Sequence, residues 1–421
     1  MPLAPTAVAL RRFPYPFRAA LAICSDIDET GSMEEFLEIQ RFLNTREQTS
    51  MGEGIGLEIG NSLFFRDKGG TLSFNGADDW ARGILIDLMH AGYIDCLHSY
   101  GDRATKREET LEALETLEQA GCKLDVWINH FGAPSNLSRK FEHRFGPCDG
   151  GDPATPVYHS DVTIEYGIRF AWVGAIARVI GQSPAHPSAA FSTLLDGRYP
   201  VHSLADVARE TGKWLLGKRG DERYAIQYAN ELTRSLTLED GKPLHEFLRY
   251  GNHPEGISLG ATSRGLAYAI DLRALDQLKA VEGFSIVYTH LGKNSDSREL
   301  IHPTTRAALQ GLEREHREGR VFVTTTSRLL NYHLAWSGAS WSYQQADGRT
   351  DIFVDTLVDP IFGPLEPAES RLQGLTFYVP DSNRARLYLR GKEVEGIRRN
   401  PADHTGSESV TVPVIPLTFP C

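Results

Sequence analysis

The sequence is short of sulfur, of positive charge and of long apolar runs, and each shortage excludes something. Its 421 residues include five cysteines and four methionines. The cysteines (Cys24, Cys96, Cys122, Cys148 and Cys421) are odd in number and contain no Cys-x-x-Cys pair, which argues against a disulfide framework. Cys24, Cys96 and Cys122 lie in or beside apolar runs, as buried free thiols of a reducing compartment do. Lysine and arginine number 44 against 55 aspartates and glutamates, a net charge of −11. That balance leaves no electrostatic footprint for nucleic acid or for an anionic membrane surface. No apolar stretch approaches the ~20 residues of a membrane-spanning helix. Met1-Pro2-Leu3-Ala4-Pro5 does not open a basic region followed by an apolar core, so the expected compartment is the cytoplasm.

What is present is an ordinary globular composition, 41% hydrophobic and 24% charged, in a chain long enough for one large and one small domain. The chain is organised around residues 20–30. Ala20-Leu21-Ala22-Ile23 is a continuous apolar run, as in a parallel strand covered on both faces. It ends abruptly in Asp26, Asp28 and Glu29. Carboxylates are depleted in strands and costly to bury unpaired, so a cluster of them at a strand tip marks a site. In an extended chain Asp26 and Asp28 point to one side, and they repel unless a cation, a shared proton or a basic partner lies between them. A competing reading makes Asp28 or Thr30 the cap of the helix that starts near Ser32.

The same rhythm of strand, polar cluster and helix recurs about seven times up to residue 337. Helices are expected at 32–46, 78–91, 107–120, 162–166 (capped by Asp161), 203–212, 221–235, 271–280 and 304–318. Strands are expected at 55–65, 93–97, 124–128, 168–173, 244–250, 284–289 and 320–324. This rhythm predicts an α/β fold: a distorted (β/α) barrel of about seven parallel strands over residues 1–337. From 338 to 421 short alternating strands between turn residues predict a small antiparallel, β-sandwich-like domain.

Five strand ends carry groups that bind metal or move protons: Asp26/Asp28, His98/Asp102, His130, His159/Asp161 and His290. In a barrel these ends face one pocket. His98 and Asp102, four apart, share a face on a helical turn, within reach of one ion. Carboxylates with imidazoles suit zinc, cobalt, nickel, manganese or iron(II). Such an ion activates water and polarises a carbonyl, a second carboxylate takes the water proton, and a histidine protonates the leaving group. A barrel glycoside hydrolase built on Asp26 and Asp161, with no metal, is the alternative. A carbohydrate-binding protein with an incomplete site is a third reading.

With these residues in place, the sequence resembles the polysaccharide deacetylases, the NodB-homology carbohydrate esterases, over about residues 18–335. It looks closest to the divergent branch of bacterial O-antigen and surface-polysaccharide clusters. Cys24-Ser25-Asp26-Ile27-Asp28 is similar to the family's Thr-Phe-Asp-Asp-Gly, with Ile27 inserted between the two acids. His98-Ser99-Tyr100-Gly101-Asp102 is similar to its His-Ser/Thr-x-x-His, with Asp102 in place of the second histidine. Val287-Tyr288-Thr289-His290 is similar to its last motif, and Asn129-His130-Phe131-Gly132 occupies the place of its arginine motif. The resemblance implies a metal-dependent hydrolase, zinc first among the candidate metals, that removes an N-acetyl or O-acetyl group from an amino sugar or oligosaccharide. It implies Asp26 as base and His290 as acid. Asp28, His98 and a third group (Asp102, or His130 and His159) would hold the metal.

Overall fold

The computed structural model describes residues 8–27, 29–66, 72–100, 106–130, 133–138, 150–185, 204–253, 261–293, 299–366 and 368–420. Its largest element is a sheet of eleven strands. In chain order these are β1 (Ala19–Asp26), β2 (Gly60–Leu63), β3 (Ile94–His98), β4 (Val126–Ile128), β5 (Phe170–Trp172) and β6 (Ile176–Ala177). They continue as β7 (Thr233–Thr237), β8 (Pro243–Phe247), β9 (Arg249–Tyr250), β10 (Phe284–Thr289) and β11 (Val321–Thr324). The strand order is β7-β8-β5-β4-β3-β2-β1-β10-β9-β6, with β11 also pairing β1. From β1 through β2, β3 and β4 to β5, and on to β8, every pairing is parallel; β7 is antiparallel to β8. β8 and β9 are separated only by Leu248, yet β8 pairs with β5 and β9 with β6 and β10. Two nearly continuous stretches of chain thus lie side by side at both ends of the path, and the sheet curls. The result is a mixed α/β fold with a curled, mostly parallel sheet, as the apolar runs require: every residue of β1 is buried.

The helices follow from their caps and periodicity. The helix Met33–Asn44 buries Met33, Phe36, Ile39, Phe42 and Leu43 on one face. Its cap is Ser32, whose hydroxyl accepts from the Glu35 amide, so neither Asp28 nor Thr30 is needed there. The carbonyls of Phe42 and Leu43 at its end accept from the amides of Ile55 and Leu57. This captures the front of the expected strand 55–65 and leaves only Gly60–Leu63 in the ladder. The expected helix 221–235 is a correction. A short helix, Ala225–Ala229, ends at Asn230 in the left-handed region, and Thr233–Thr237 joins the sheet as β7. An edge position beside β8 outweighs helix propensity in a segment containing two threonines.

The chain divides into two compact units, and both are discontinuous. One comprises Leu21–Glu315, Val323–Ser327 and Leu417–Cys421; the other comprises Met1–Ala20, His316–Phe322 and Arg328–Pro416. A single cut at 337/338 does not describe them, because Ala9–Arg11 pairs with Thr376–Tyr378. The smaller unit holds two sheets. Ala9–Arg11, Thr376–Val379, Glu408–Thr411 and Arg398–Asn400 form one, antiparallel throughout. Ala339–Ala346, Arg349–Asp359, Ala385–Leu389 and Lys392–Glu393 form the other, with Gly363–Leu365 on Arg349–Asp359. Here Arg349–Asp359 and Ala385–Leu389 run parallel, an exception to the antiparallel expectation. The Trp341 and Phe377 rings meet at 5.2 Å and link the two sheets.

Arg11 is the polar anchor of this unit. It is buried, pairs with Asp403 at 2.9 Å, and donates to the carbonyls of Phe13, Pro14 and Pro16. Removing one partner of a buried pair strands the other charge, at a cost of about 3–5 kcal/mol. Arg11→Ala is therefore expected to lower the stability of this unit by that order in urea denaturation. A loss below about 1 kcal/mol, the scale of an exposed pair, would show that the pair is not effectively buried. Among the described residues no helix is long and apolar enough to cross a membrane.

Candidate active site at the strand ends

The parallel register brings the polar strand ends together. Asp26, the last residue of β1, stands opposite Ser62 of β2, and His98, the last of β3, stands opposite Ile128 of β4. His290 follows β10 directly. Asp26 is 1% exposed. Its Oδ1 accepts from the Ser62 hydroxyl. Its Oδ2 lies 2.8 Å from His98 Nδ1 and 3.3 Å from His290 Nε2. The Leu291 amide donates to Ser25 Oγ at 3.1 Å, which ties the end of β1 to the end of β10.

The tautomer of His290 follows from its contacts. Nδ1 lies 2.7 Å from the Ala261 carbonyl, an acceptor only, so Nδ1 carries hydrogen and donates. Nε2 is then the nitrogen that titrates, facing Asp26, with the Tyr288 hydroxyl 3.2 Å away. Burial pushes the Asp26 carboxyl up to about 7, opposed by the positive fields of His290, Arg249 and His130. Burial likewise holds His290 below the usual imidazole value, opposed first by Asp26. A raised acid and a lowered base thus face each other across 3.3 Å, close enough for the two groups to titrate together, although Oδ2 accepts no hydrogen bond among the described residues.

The walls are aromatic. His98 packs on Phe64, ring centroids 4.2 Å apart, and His130 meets the His98 ring edge-on at 5.0 Å. Asn136 holds the His130 main chain at both ends, accepting from its amide and donating to its carbonyl. Arg249 of β9 is 1% exposed. Its guanidinium lies 3.9 Å from the centre of the Trp172 ring and 4.1 Å from that of Tyr288. Among the described residues, Nε, Nη1 and Nη2 of Arg249 are buried without a hydrogen-bond partner. A guanidinium in that state costs several kcal/mol, of which cation–π contact returns about 2.

The structure thus brings together Asp26, His98, His130 and His290. It uses His159 differently. That ring is fully buried beside Tyr100 and Trp127, with Nδ1 on Thr163 Oγ1 and Nε2 on the Ser135 carbonyl, both within 2.8 Å. Both nitrogens are engaged, and burial pulls its pKa down to about 4, so His159 stands here as a packed neutral imidazole. Gly150 permits this, since a Cβ there would fall 2.3 Å from His159 Nε2. Asp161 does not cap its helix, which starts at Ser160, but forms a bidentate pair with Arg107. Asp28 and Asp102 lie outside the described residues. Among the described residues no group of three or more His, Cys, Asp and Glu side chains is arranged to hold a metal ion.

Two site residues are not singled out by the sequence reading. Ser62 sits in a short Gly-Asn-Ser-Leu strand with no chemical signature. Arg249 did leave a signal, a charge inside the apolar run Phe247-Leu248-Arg249-Tyr250. No protein-family model, no curated protein and no solved structure matches this chain.

Proposed function

We propose that this protein is a hydrolase that removes an N-acetyl, or an O-acetyl, group from an amino sugar. It would be a divergent polysaccharide deacetylase acting in the cytoplasm in polysaccharide or lipopolysaccharide synthesis. The observation that carries this reading is the close approach of Asp26 Oδ2 and His290 Nε2, 3.3 Å apart at the buried ends of neighbouring strands. Read as a distorted barrel of about seven parallel strands, the curled sheet would open these ends into one mouth.

In this reading Asp26 accepts a proton from the attacking water as its oxygen bonds to the acetyl carbon. Ser62, bound to Oδ1, leaves Oδ2 as the basic oxygen. His290 protonates the departing sugar nitrogen as the carbon–nitrogen bond breaks, giving amine and acetate. The Ala261 carbonyl keeps the Nε2 edge turned to the reaction throughout.

The resemblance adds a divalent cation, zinc before cobalt, nickel, manganese or iron. His98 and His130 are candidate nitrogen donors, but a catalytic zinc takes about three protein ligands, and the described residues do not complete that set. No step above is routed through it. The test is acetate release from N-acetylated and O-acetylated sugars, paired with elemental analysis. Activity is expected to fall with a chelator and return with zinc or cobalt. Absence of acetate release from every acetylated sugar would overturn the assignment; release indifferent to chelation would remove only the metal. The glycosidase alternative is weakened by Asp161, both of whose carboxylate oxygens are engaged by the Arg107 guanidinium. A carbohydrate-binding protein would bind the sugar and leave the acetyl group in place.

A further inference from the structure

The helix Leu204–Lys218 turns two adjacent leucines to solvent near its end. Leu215 and Leu216 are 42% and 41% exposed, and Tyr228 of the following short helix, Ala225–Ala229, is 42% exposed. Gly217 lets the two helices close on each other. A Cβ there would fall 2.6 Å from Tyr228 Cβ and 2.4 Å from the Tyr224 carbonyl oxygen. The approach sets the Tyr228 ring 5.5 Å from that of Trp214. Single exposed leucines are ordinary, but adjoining ones beside two aromatic rings form a patch that marks an interaction site.

The rim of the patch is basic. Lys218 Nζ lies 5.0 Å from the centre of the Trp214 ring, and both Lys218 and Arg219 are exposed. Residues 207–229 hold five arginines and lysines against three acids, in a chain whose net charge is −11. Those acids are engaged locally: Glu210 pairs with Lys213, Glu222 pairs with Arg234, and Asp221 accepts from the Arg223 amide. The overall balance, which predicts no footprint for an anionic membrane surface, thus hides a local reversal of sign. A second copy of this chain seated here about a twofold axis would bring the Lys218 and Arg219 of both copies together, and like charges disfavour that contact. An anionic lipid surface suits both halves of the patch. The leucines enter the headgroup boundary, the Trp214 and Tyr228 rings lie at the interface, and the basic heads reach lipid phosphates. We infer that residues 214–219 and Tyr228 dock this protein on an anionic membrane surface, as a peripheral contact rather than a span. The contact does not rest on the deacetylase reading.

The test is co-sedimentation of the full chain with vesicles of phosphatidylcholine alone and of phosphatidylcholine mixed with phosphatidylglycerol. Partitioning is expected to be at least about tenfold stronger on the anionic vesicles, given about 1 kcal/mol for each basic residue at such a surface. It should weaken between about 0.1 M and about 1 M salt, as the screening length falls from ~10 Å to ~3 Å. Leu215→Ser with Leu216→Ser is expected to lower partitioning at least about tenfold with the melting temperature little changed, since both side chains already face solvent. Lys218→Glu with Arg219→Glu should erase the preference for anionic vesicles. Lys392→Glu with Arg399→Glu makes the same charge change at exposed positions of the smaller unit and should leave binding as it is. Absence of binding to the anionic vesicles, or equal binding by the leucine variant, would overturn the inference. So would an equal loss in the Lys392 and Arg399 variant, which would assign the attraction to the charge of the whole molecule. A dimer in sedimentation equilibrium that the leucine variant splits would give the patch to a second copy of the chain and overturn it as well.

Discussion

Asp26→Asn is expected to abolish acetate release, by a factor of about 10³ or more, and to make the folded protein more stable above neutral pH. The first half follows from the role. A positioned general base contributes about 10²–10⁴ to rate, and an amide can hold the same hydrogen bonds without accepting the proton. The second half follows from linkage. Burial raises the Asp26 carboxyl from 3.8 to about 7 in the folded protein. Between those values the folded state binds more protons than the unfolded one, so the stability Asp26 allows is fully present below about 4 and is lost as the pH rises through 7. A shift of roughly three units corresponds to ~4 kcal/mol as an upper figure, at about 1.36 kcal/mol per unit. Urea denaturation of chelator-treated protein at pH 5 and pH 8 reads the sign. The variant should gain more at pH 8 than at pH 5. An equal or reversed gain would mean that Asp26 is not raised, and the argument for a coupled Asp26–His290 pair would fail with it.

His290→Ala is expected to cost about 10²–10⁴ in turnover with the fold retained, since the ring lies at a strand end, against the Ala261 carbonyl, Asp26 and Tyr288. The form of the pH profile is the sharper readout. In the unsubstituted protein Asp26 and His290 lie close enough to titrate as a pair. Activity should rise as the pair loses its second proton, below the usual imidazole value, and fall as it loses the last one near 7. Without His290 there is no acid to deprotonate. The alkaline fall should vanish, leaving a low activity that only rises with pH. A variant with full activity, or with an unchanged bell, would remove His290 from the mechanism.

The readable part of this site was the part marked by chemical contrast. Asp26, His98 and His290 each end an apolar strand, and their residue types are costly to bury without purpose. Arg249 carried the same contrast inside Phe247-Leu248-Arg249-Tyr250, yet a lone arginine in a short strand has no periodic signature to set it apart from an edge position. His159 was legible as a histidine beside a loop but not as a packed one, because its partners Thr163 and Ser135 and the space left by Gly150 come from separate stretches. Asp161 looked like a cap, and only the folding of the 107–119 helix beside it turned it into the partner of Arg107.

By itself the sequence determined where the strands and most helices lie, because a buried parallel strand must be apolar along its length and a helix must repeat its apolar face every three to four residues. It also determined that the polar groups stand at the ends of those strands. Tertiary structure decided the rest. It chose which ends meet, it made Thr233–Thr237 an edge strand, and it joined Ala9–Arg11 to strands more than 360 residues away. The reason is physical: periodicity records which face of an element is buried, whereas partners, register and the raised acidity of Asp26 are properties of the neighbours that bury it.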